Sequence, residues 1–68
     1  MPLIRVELFA GRSPEQKRQL AQALTEATVR TMGVKPEAVD VMFFDIARHD
    51  WATAGVPWSD KASPPPAG

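Results

Sequence analysis

The chain has no cysteine, a single histidine and no excess of either charge among its 68 residues. The missing cysteines exclude a disulfide framework, and one histidine cannot build a structural zinc site by itself. Eight basic and eight acidic side chains cancel, so no net charge attracts nucleic acid or an anionic membrane. No apolar run approaches the length of about 18 residues that suggests a transmembrane helix. The absences favour a small cytoplasmic protein that binds neither nucleic acid nor membrane.

The length of the chain allows one small domain at most. Such a chain buries a modest share of its surface, and it is marginally stable without disulfides, a metal or a partner. Since the composition offers neither disulfides nor a metal site, we expect an oligomer.

A strand followed by a helix is predicted for the first half of the chain. Apolar and charged residues alternate over LIRVELF (Leu3 to Phe9), which is typical of a half-buried strand. Ser13 is a good N-cap, Pro14 suits the first helical position, and Gln16 completes a capping box with Ser13. The helix is predicted from Pro14 to about Met32, where Gly33 ends it.

The predicted helix carries a helical repeat of small and apolar residues, and its polar side includes Lys17. The repeat is Leu20, Leu24, Ala27 and Thr31. We expect this repeat to face the sheet.

The second strand is predicted from Val39 to Ala47, and it is apolar on both faces. Val41 and Phe43 lie on one face, and Met42, Phe44 and Ile46 lie on the other. The strand–helix–strand order predicts a right-handed crossover and a parallel pair of strands. One helix covers one face only, so the other face predicts an obligate oligomer with sheets packed face to face.

The segment after the second strand contains both tryptophans, Trp51 and Trp58, in a loop with a short hairpin around Ala54-Gly55. Trp58 is expected at a subunit contact. We predict a single α/β (α+β) domain over residues 1–58 and a flexible proline-rich tail over residues 59–68.

Pro2 raises a separate question, because proline has no backbone N–H to donate at the start of a strand. If Met1 is removed, the ring nitrogen of Pro2 becomes a free secondary amine. Such an amine is a candidate base, nucleophile or proton donor. The alternative is that Pro2 has only a structural role at the start of the strand.

Four features follow one another in this chain: Met-Pro before a strand, GRSPEQK at the start of a helix, a second apolar strand, and HDWATAGVP. In order and spacing they resemble the 4-oxalocrotonate tautomerase family, over roughly Pro2 to Pro57. The resemblance implies a β-α-β subunit with a short C-terminal hairpin, assembled as a homohexamer (a trimer of dimers). It also implies keto–enol isomerisation of a small 2-oxo acid without a metal or organic cofactor.

The resemblance implies roles for five residues of this chain. Pro2 is the catalytic base, Arg12 binds a substrate carboxylate, and Phe9 and Trp51 line the site. Asp40 stands where the family places a second arginine, which puts the dicarboxylate substrate of the founding enzymes in doubt. Pro2 acts as a base at neutral pH only with a lowered pKa, which desolvation by the two aromatic residues and the charge of Arg12 would favour.

The residues leave alternatives open at several positions. Asp40 is either an outward-facing residue that pairs with Arg5 or with another subunit, or an acid that stabilises protonated Pro2. The second case suits a hydratase, dehalogenase or decarboxylase, and a non-catalytic structural oligomer is a third reading. Arg48 is a candidate replacement for the missing cation, and His49 is expected to be solvated.

Overall fold

The computed structural model describes residues 1–61, which form a β-α-β unit followed by a small hairpin. Strand β1 is Leu3–Phe9, helix α1 is Pro14–Met32 and strand β2 is Asp40–Ile46. The hairpin consists of β3 (Ala52–Thr53) and β4 (Val56–Pro57). The predicted fold class is therefore confirmed, and β2 is one residue shorter at each end than predicted.

Strands β1 and β2 pair in parallel, with Leu3 opposite Asp40 and Phe9 opposite Ile46. Side chains alternate between the two faces of a sheet, so residues that are opposite each other share a face. One face carries Ile4, Val6, Leu8, Val41, Phe43 and Asp45. Helix α1 covers this face, since Lys17 Nζ lies 2.7 Å from Asp45 Oδ2.

Both ends of α1 are formed by the predicted residues. Ser13 Oγ accepts a hydrogen bond from Gln16 N, and Gln16 Oε1 accepts one from Ser13 N. At the other end Gly33 adopts a left-handed φ of 69° and donates its N–H to Val29 O. The capping box and the glycine stop are local signals, which explains why the sequence placed both ends of this helix correctly.

The face of α1 that meets the sheet agrees with the prediction in the middle of the helix and differs from it toward the two ends. Leu24 and Ala27 are half-buried as expected, but Leu20 is 39% exposed and Thr31 is exposed. Lys17, predicted on the polar side, is half-buried instead. Lys17 follows the same helical stripe as Leu20 and Leu24, and its ammonium pairs with Asp45 of β2, which explains why its side chain is half-buried.

The second half of the chain adds three short 3₁₀ turns that the sequence patterns did not predict: Pro36–Ala38, Arg48–Asp50 and Trp58–Asp60. The predicted hairpin is confirmed, with Ala54 and Gly55 at φ values of 54° and 79° in its turn. The predicted flexible tail lies largely outside the described residues and remains a prediction.

No side chain in residues 1–61 is buried in the isolated chain. On the sheet face opposite α1, Leu3 is 53% exposed and Met42 is 47% exposed. Phe44 on that face is half-buried, partly beneath the Arg5 guanidinium at 4.7 Å from its ring centroid. The uncovered apolar face that the sequence predicted is therefore present, and Arg5 contacts Phe44.

Candidate active site

The predicted site residues lie at two opposite ends of β1 within one chain. Pro2 and Asp40 are neighbours at one end, where Asp40 N donates to Pro2 O at 3.0 Å. Phe9 and Arg12 lie at the other end. Phe9 is seven positions after Pro2 along extended chain, which corresponds to about 23 Å. One chain therefore does not bring its own amine to its own arginine.

Phe9 is the centre of an aromatic cluster at the end of β1. Its ring centroid lies 4.4 Å from that of Trp51 and 5.4 Å from that of Trp58, in tilted geometry in both cases. Tilted ring pairs at such distances are favourable beyond the area that they bury. Phe9 and Trp51, predicted from the resemblance to line one site, are thus brought together.

The hairpin places the second tryptophan against the same ring. Ala52 pairs with Pro57, and Trp58 N donates to Trp51 O at 2.8 Å, so the two tryptophans stand opposite each other. Side chains opposite each other on antiparallel strands share a face. Trp58 Nε1 also donates to Thr53 Oγ1 at 3.0 Å. Trp58 therefore packs against Phe9 of its own chain, a contact that the sequence analysis missed.

A groove of about 330 Å³ opens beside this cluster, between the end of β1 and the first turns of α1. Its walls are mainly apolar, and Arg12 and Lys17 add positive charge. The lining residues are Val6, Leu8, Phe9, Arg12, Gln16, Lys17 and Leu20. Phe9 and Arg12 therefore share one concave surface, as the predicted pairing of an aromatic wall with a carboxylate-binding guanidinium requires.

The turn before α1 explains why Arg12 lies in this groove. Gly11 adopts a φ of 124°, a conformation that side-chain-bearing residues rarely adopt, and it turns the chain out of β1. Ser13 then caps the helix, which holds Arg12 between the strand end and the first helical turn. Ser13 Oγ accepts from Gln16 N, so this donor at the start of the helix is engaged by the capping box.

Lys17 contributes differently from Arg12 although both line the groove. Its ammonium is paired with Asp45 at 2.7 Å, and its side chain is 24% exposed. The pair joins the first turns of α1 to the end of β2. The pair therefore fixes the start of α1 relative to β2, and the carboxylate largely balances the charge of Lys17.

Arg48 and His49 follow β2 in one 3₁₀ turn, yet they have different surroundings. The guanidinium carbon of Arg48 lies 4.5 Å from the centroid of the Phe9 ring. The His49 side chain is 72% exposed, with Nε2 3.5 Å from Asp50 Oδ2, as expected for a solvated histidine. The pairing of Phe9 with Ile46 explains the Arg48 contact, because the chain leaves β2 directly opposite Phe9.

Residues 1–61 contain neither a metal-binding cluster nor a membrane-spanning helix. The acidic and histidine side chains of this part of the chain form no group of three that could hold a metal ion. In the same residues no helix is both long enough and apolar enough to cross a membrane.

Comparison with known proteins gives concordant matches over nearly the whole described chain. A family model for tautomerase enzymes matches residues 2–61. A probable tautomerase of Ralstonia nicotianae is 43% identical over 65 residues, which cover 96% of this chain and 93% of that protein. The similarity therefore includes both ends of β1, the groove and the hairpin.

Solved structures give the same result for the fold. The structure of a 4-oxalocrotonate tautomerase homologue superposes with a TM-score of 0.85 at 41% identity, covering 93% of this chain and all of that one. A heterohexameric 4-oxalocrotonate tautomerase from Chloroflexus aurantiacus superposes with a TM-score of 0.82 at 30% identity, covering 88% of this chain and 97% of that one.

Proposed function

The chain belongs to the tautomerase family and is an isomerase of that type, and from this premise we propose its substrate class and its base. The substrate is a small 2-hydroxy-alkenoate or enolpyruvate carboxylate, which the protein converts between enol and keto forms without a cofactor. Pro2 is the general base after removal of Met1. The observation that carries the proposal is the groove in which Arg12 faces the aromatic wall at Phe9.

Arg12 holds the substrate carboxylate in this proposal. A guanidinium presents a planar fork of donors that matches a carboxylate, and the apolar groove walls strengthen the contact by excluding water. The conjugated carbon chain of the substrate then lies along Phe9, whose ring packs against Trp51. Both contacts orient the reacting carbon without taking part in proton transfer.

A second copy of the chain supplies Pro2 to the groove. Within one chain the amine lies about 23 Å from Phe9 along β1. Strand β1 has one paired neighbour, β2, so its other edge is open in the isolated chain. Antiparallel pairing of β1 with the β1 of a second copy would bring Pro2 of each copy to the groove of the other. The absence of any buried side chain in residues 1–61 also supports association.

Further association of such dimers would cover the apolar sheet face of Leu3 and Met42. A homohexamer is the trimer of dimers expected from the sequence. It would bring Pro2 to the groove of a second copy and would also cover the apolar sheet face. The heterohexameric structure from Chloroflexus aurantiacus supports this assembly for a chain of the same fold. A cytoplasmic location, also expected from the sequence, belongs to the same proposal.

Proton transfer in the completed site begins with the Pro2 amine. The neutral amine takes the proton of the enol hydroxyl and then delivers a proton to carbon, which yields the keto form. Phe9 and Trp51 desolvate the amine and Arg12 adds a like charge, and both effects lower the pKa of Pro2. A base with a pKa near the working pH transfers protons most effectively.

An acid-dependent reaction is the second candidate, because the backbone bond from Asp40 N to Pro2 O makes Asp40 the acidic residue next to Pro2. A carboxylate close to the Pro2 amine would raise the pKa of that amine and keep it protonated. Protonated proline with an acidic partner suits hydration, dehalogenation or decarboxylation. An NMR titration of Pro2 separates the candidates, since a pKa well below that of a free secondary amine supports the base and a raised pKa supports the acid.

Replacing the amine tests the tautomerase proposal directly. Intact-mass measurement first establishes that Met1 is absent, and turnover of phenylenolpyruvate and 2-hydroxymuconate is then compared for the wild type and Pro2→Ala. We expect a loss of about 10²- to 10⁴-fold, the usual contribution of a general base. His49→Gln is the matched control, because that side chain is solvated. Unchanged turnover in Pro2→Ala contradicts the mechanism and favours a structural oligomer.

A further inference from the structure

Gln16 lines the groove beside Arg12, and the proposed function gives it no part in binding. Side chains of a helix lean toward its N-terminus, and Gln16 reaches back to the turn before α1, where its Oε1 accepts from Ser13 N at 3.1 Å. Ser13 N is the peptide nitrogen joined to Arg12, so the amide lies against the segment that carries the guanidinium. The helix therefore brings a second polar side chain to the Arg12 end of the groove.

The capping box determines which way the Gln16 amide faces. A backbone N–H needs an acceptor, and the only acceptor in a glutamine side chain is Oε1. Reversing the amide would place Nε2 against the N–H of Ser13, with two donors facing each other. Oε1 is therefore held by Ser13, and the two N–H donors of Nε2 are left over from the capping box.

Helix capping alone does not require glutamine at this position. Glutamate forms the same capping box, and its negative charge in the first turn of a helix adds stability. Glutamine differs from glutamate because it supplies N–H donors and adds no charge. Both differences favour an anionic ligand in the adjoining groove.

The charges around Gln16 also suit a carboxylate ligand. Arg12 and Lys17 line the groove, and none of its lining residues in the described part of the chain is acidic. Asp45 is paired with Lys17 at 2.7 Å, and Glu15 forms an exposed ion pair one turn along the helix. The acidic side chains next to this end of the groove are therefore engaged with cations.

We propose that Gln16 is a specificity-determining residue, whose Nε2 donates a hydrogen bond to the substrate carboxylate that Arg12 holds. Arg12 supplies the charge and Gln16 supplies a further donor, so the carboxylate is fixed by the turn and by the helix together. This inference rests on the proposed function, because it takes the Arg12 groove as the substrate site.

Three substitutions separate the donors of Gln16 from its capping role. Gln16→Glu retains the capping box but replaces both donors with a negative charge. Gln16→Met removes the donors without adding charge, and it also loses the cap. Gln19→Glu is the matched control, because it adds the same charge to the exposed side of α1 outside the groove. Binding of sorbate, an unreactive conjugated acid, is followed by the fluorescence of Trp51, which contacts Phe9 of the groove.

We expect Gln16→Met to weaken sorbate binding about tenfold, the usual effect of losing a hydrogen bond to a charged group. Gln16→Glu should weaken it at least as much, whereas Gln19→Glu should bind sorbate as the wild type does. Urea denaturation should show Gln16→Glu to be at least as stable as the wild type, because the cap is retained and an acid suits the first turn. A purely structural role predicts instead that sorbate binding follows stability.

The other outcomes overturn the inference. Unchanged sorbate binding in Gln16→Glu shows that the cap matters and the donors do not, and unchanged binding in Gln16→Met shows that the donors are not used. Equal losses in Gln16→Glu and Gln19→Glu show an effect of net charge alone, and this comparison decides the matter if Gln16→Met does not fold. A wild type that does not bind sorbate also overturns the inference.

Failure of the inference and failure of the proposed function give different results. If the Gln16 variants bind sorbate as the wild type does while Pro2→Ala loses turnover, the proposed base stands and the role of Gln16 is wrong. If the Gln16 variants lose sorbate binding while Pro2→Ala keeps full turnover, the proposed base is wrong and Gln16 remains a binding residue.

Discussion

Phe9 connects the groove, both tryptophans and Arg48, so Phe9→Leu is the substitution that tests the site architecture most directly. Leucine retains an apolar side chain but loses every ring contact. The two tilted pairs, with Trp51 and Trp58, contribute about 1 kcal/mol each. The stacked Arg48 guanidinium adds about 0.5 kcal/mol at a half-exposed site. We therefore expect Phe9→Leu to lower the free energy of unfolding by about 2.5 kcal/mol more than a Phe-to-Leu swap away from the cluster.

The measurement is urea denaturation followed by tryptophan fluorescence, at one fixed protein concentration because association contributes to apparent stability. Phe43→Leu is the matched control. Its ring lies on the α1 side of the sheet, so its substitution removes the same atoms without touching the cluster. The control should lose about 1 kcal/mol, typical of a tolerated apolar swap. If Phe9→Leu and Phe43→Leu lower the free energy of unfolding equally, the contacts of the aromatic cluster do not stabilise the site as proposed.

Two other predictions concern the assembly and the hairpin. Met42→Lys places a charge on the uncovered sheet face, so sedimentation should show a smaller species than the wild type. Met32→Lys, at the exposed end of α1, is the control and should not change the mass of the assembled protein. A folded wild-type monomer would contradict the predicted association. Ala54→Gly removes a side chain from a left-handed position at φ 54° and should raise the free energy of unfolding by about 1 kcal/mol. Gly55→Ala adds a side chain at φ 79° and should lower the free energy of unfolding by about the same amount, with the thermal midpoint as the measurement for both. Shifts in the same direction would show that backbone strain in this turn does not control stability.

Local patterns were sufficient for the main elements of this fold. The strand over Leu3–Phe9 and the helix over Pro14–Met32 have the predicted bounds, because alternation, a capping box and a glycine stop are encoded by neighbouring residues. The 3₁₀ turns were not predicted, since three-residue turns carry weak signals. On α1 the exposed Thr31 and the half-buried Lys17 were predicted incorrectly. Lys17 joins the sheet through Asp45, which lies 28 positions away along the chain, beyond the reach of a local pattern.

The candidate site was predicted residue by residue, but its arrangement was not. Resemblance pointed to Pro2, Phe9, Arg12, Asp40 and Trp51, and their roles remain proposals. A signal for Trp58 was present, because a two-residue turn at Ala54-Gly55 places it opposite Trp51. The stacking of Arg48 on Phe9 had no such signal, since it depends on the parallel register of two strands far apart in sequence.

The sequence alone determined the elements, their order and the apolar face that one helix cannot cover. These follow from periodicity and capping, which act over a few residues. The tertiary structure decided which side chains meet. The parallel register gathers Phe9, Trp51, Trp58 and Arg48 at one end of the sheet, beside the groove that Arg12 lines. It also leaves Pro2 at the other end, because an extended strand of seven residues separates its two termini.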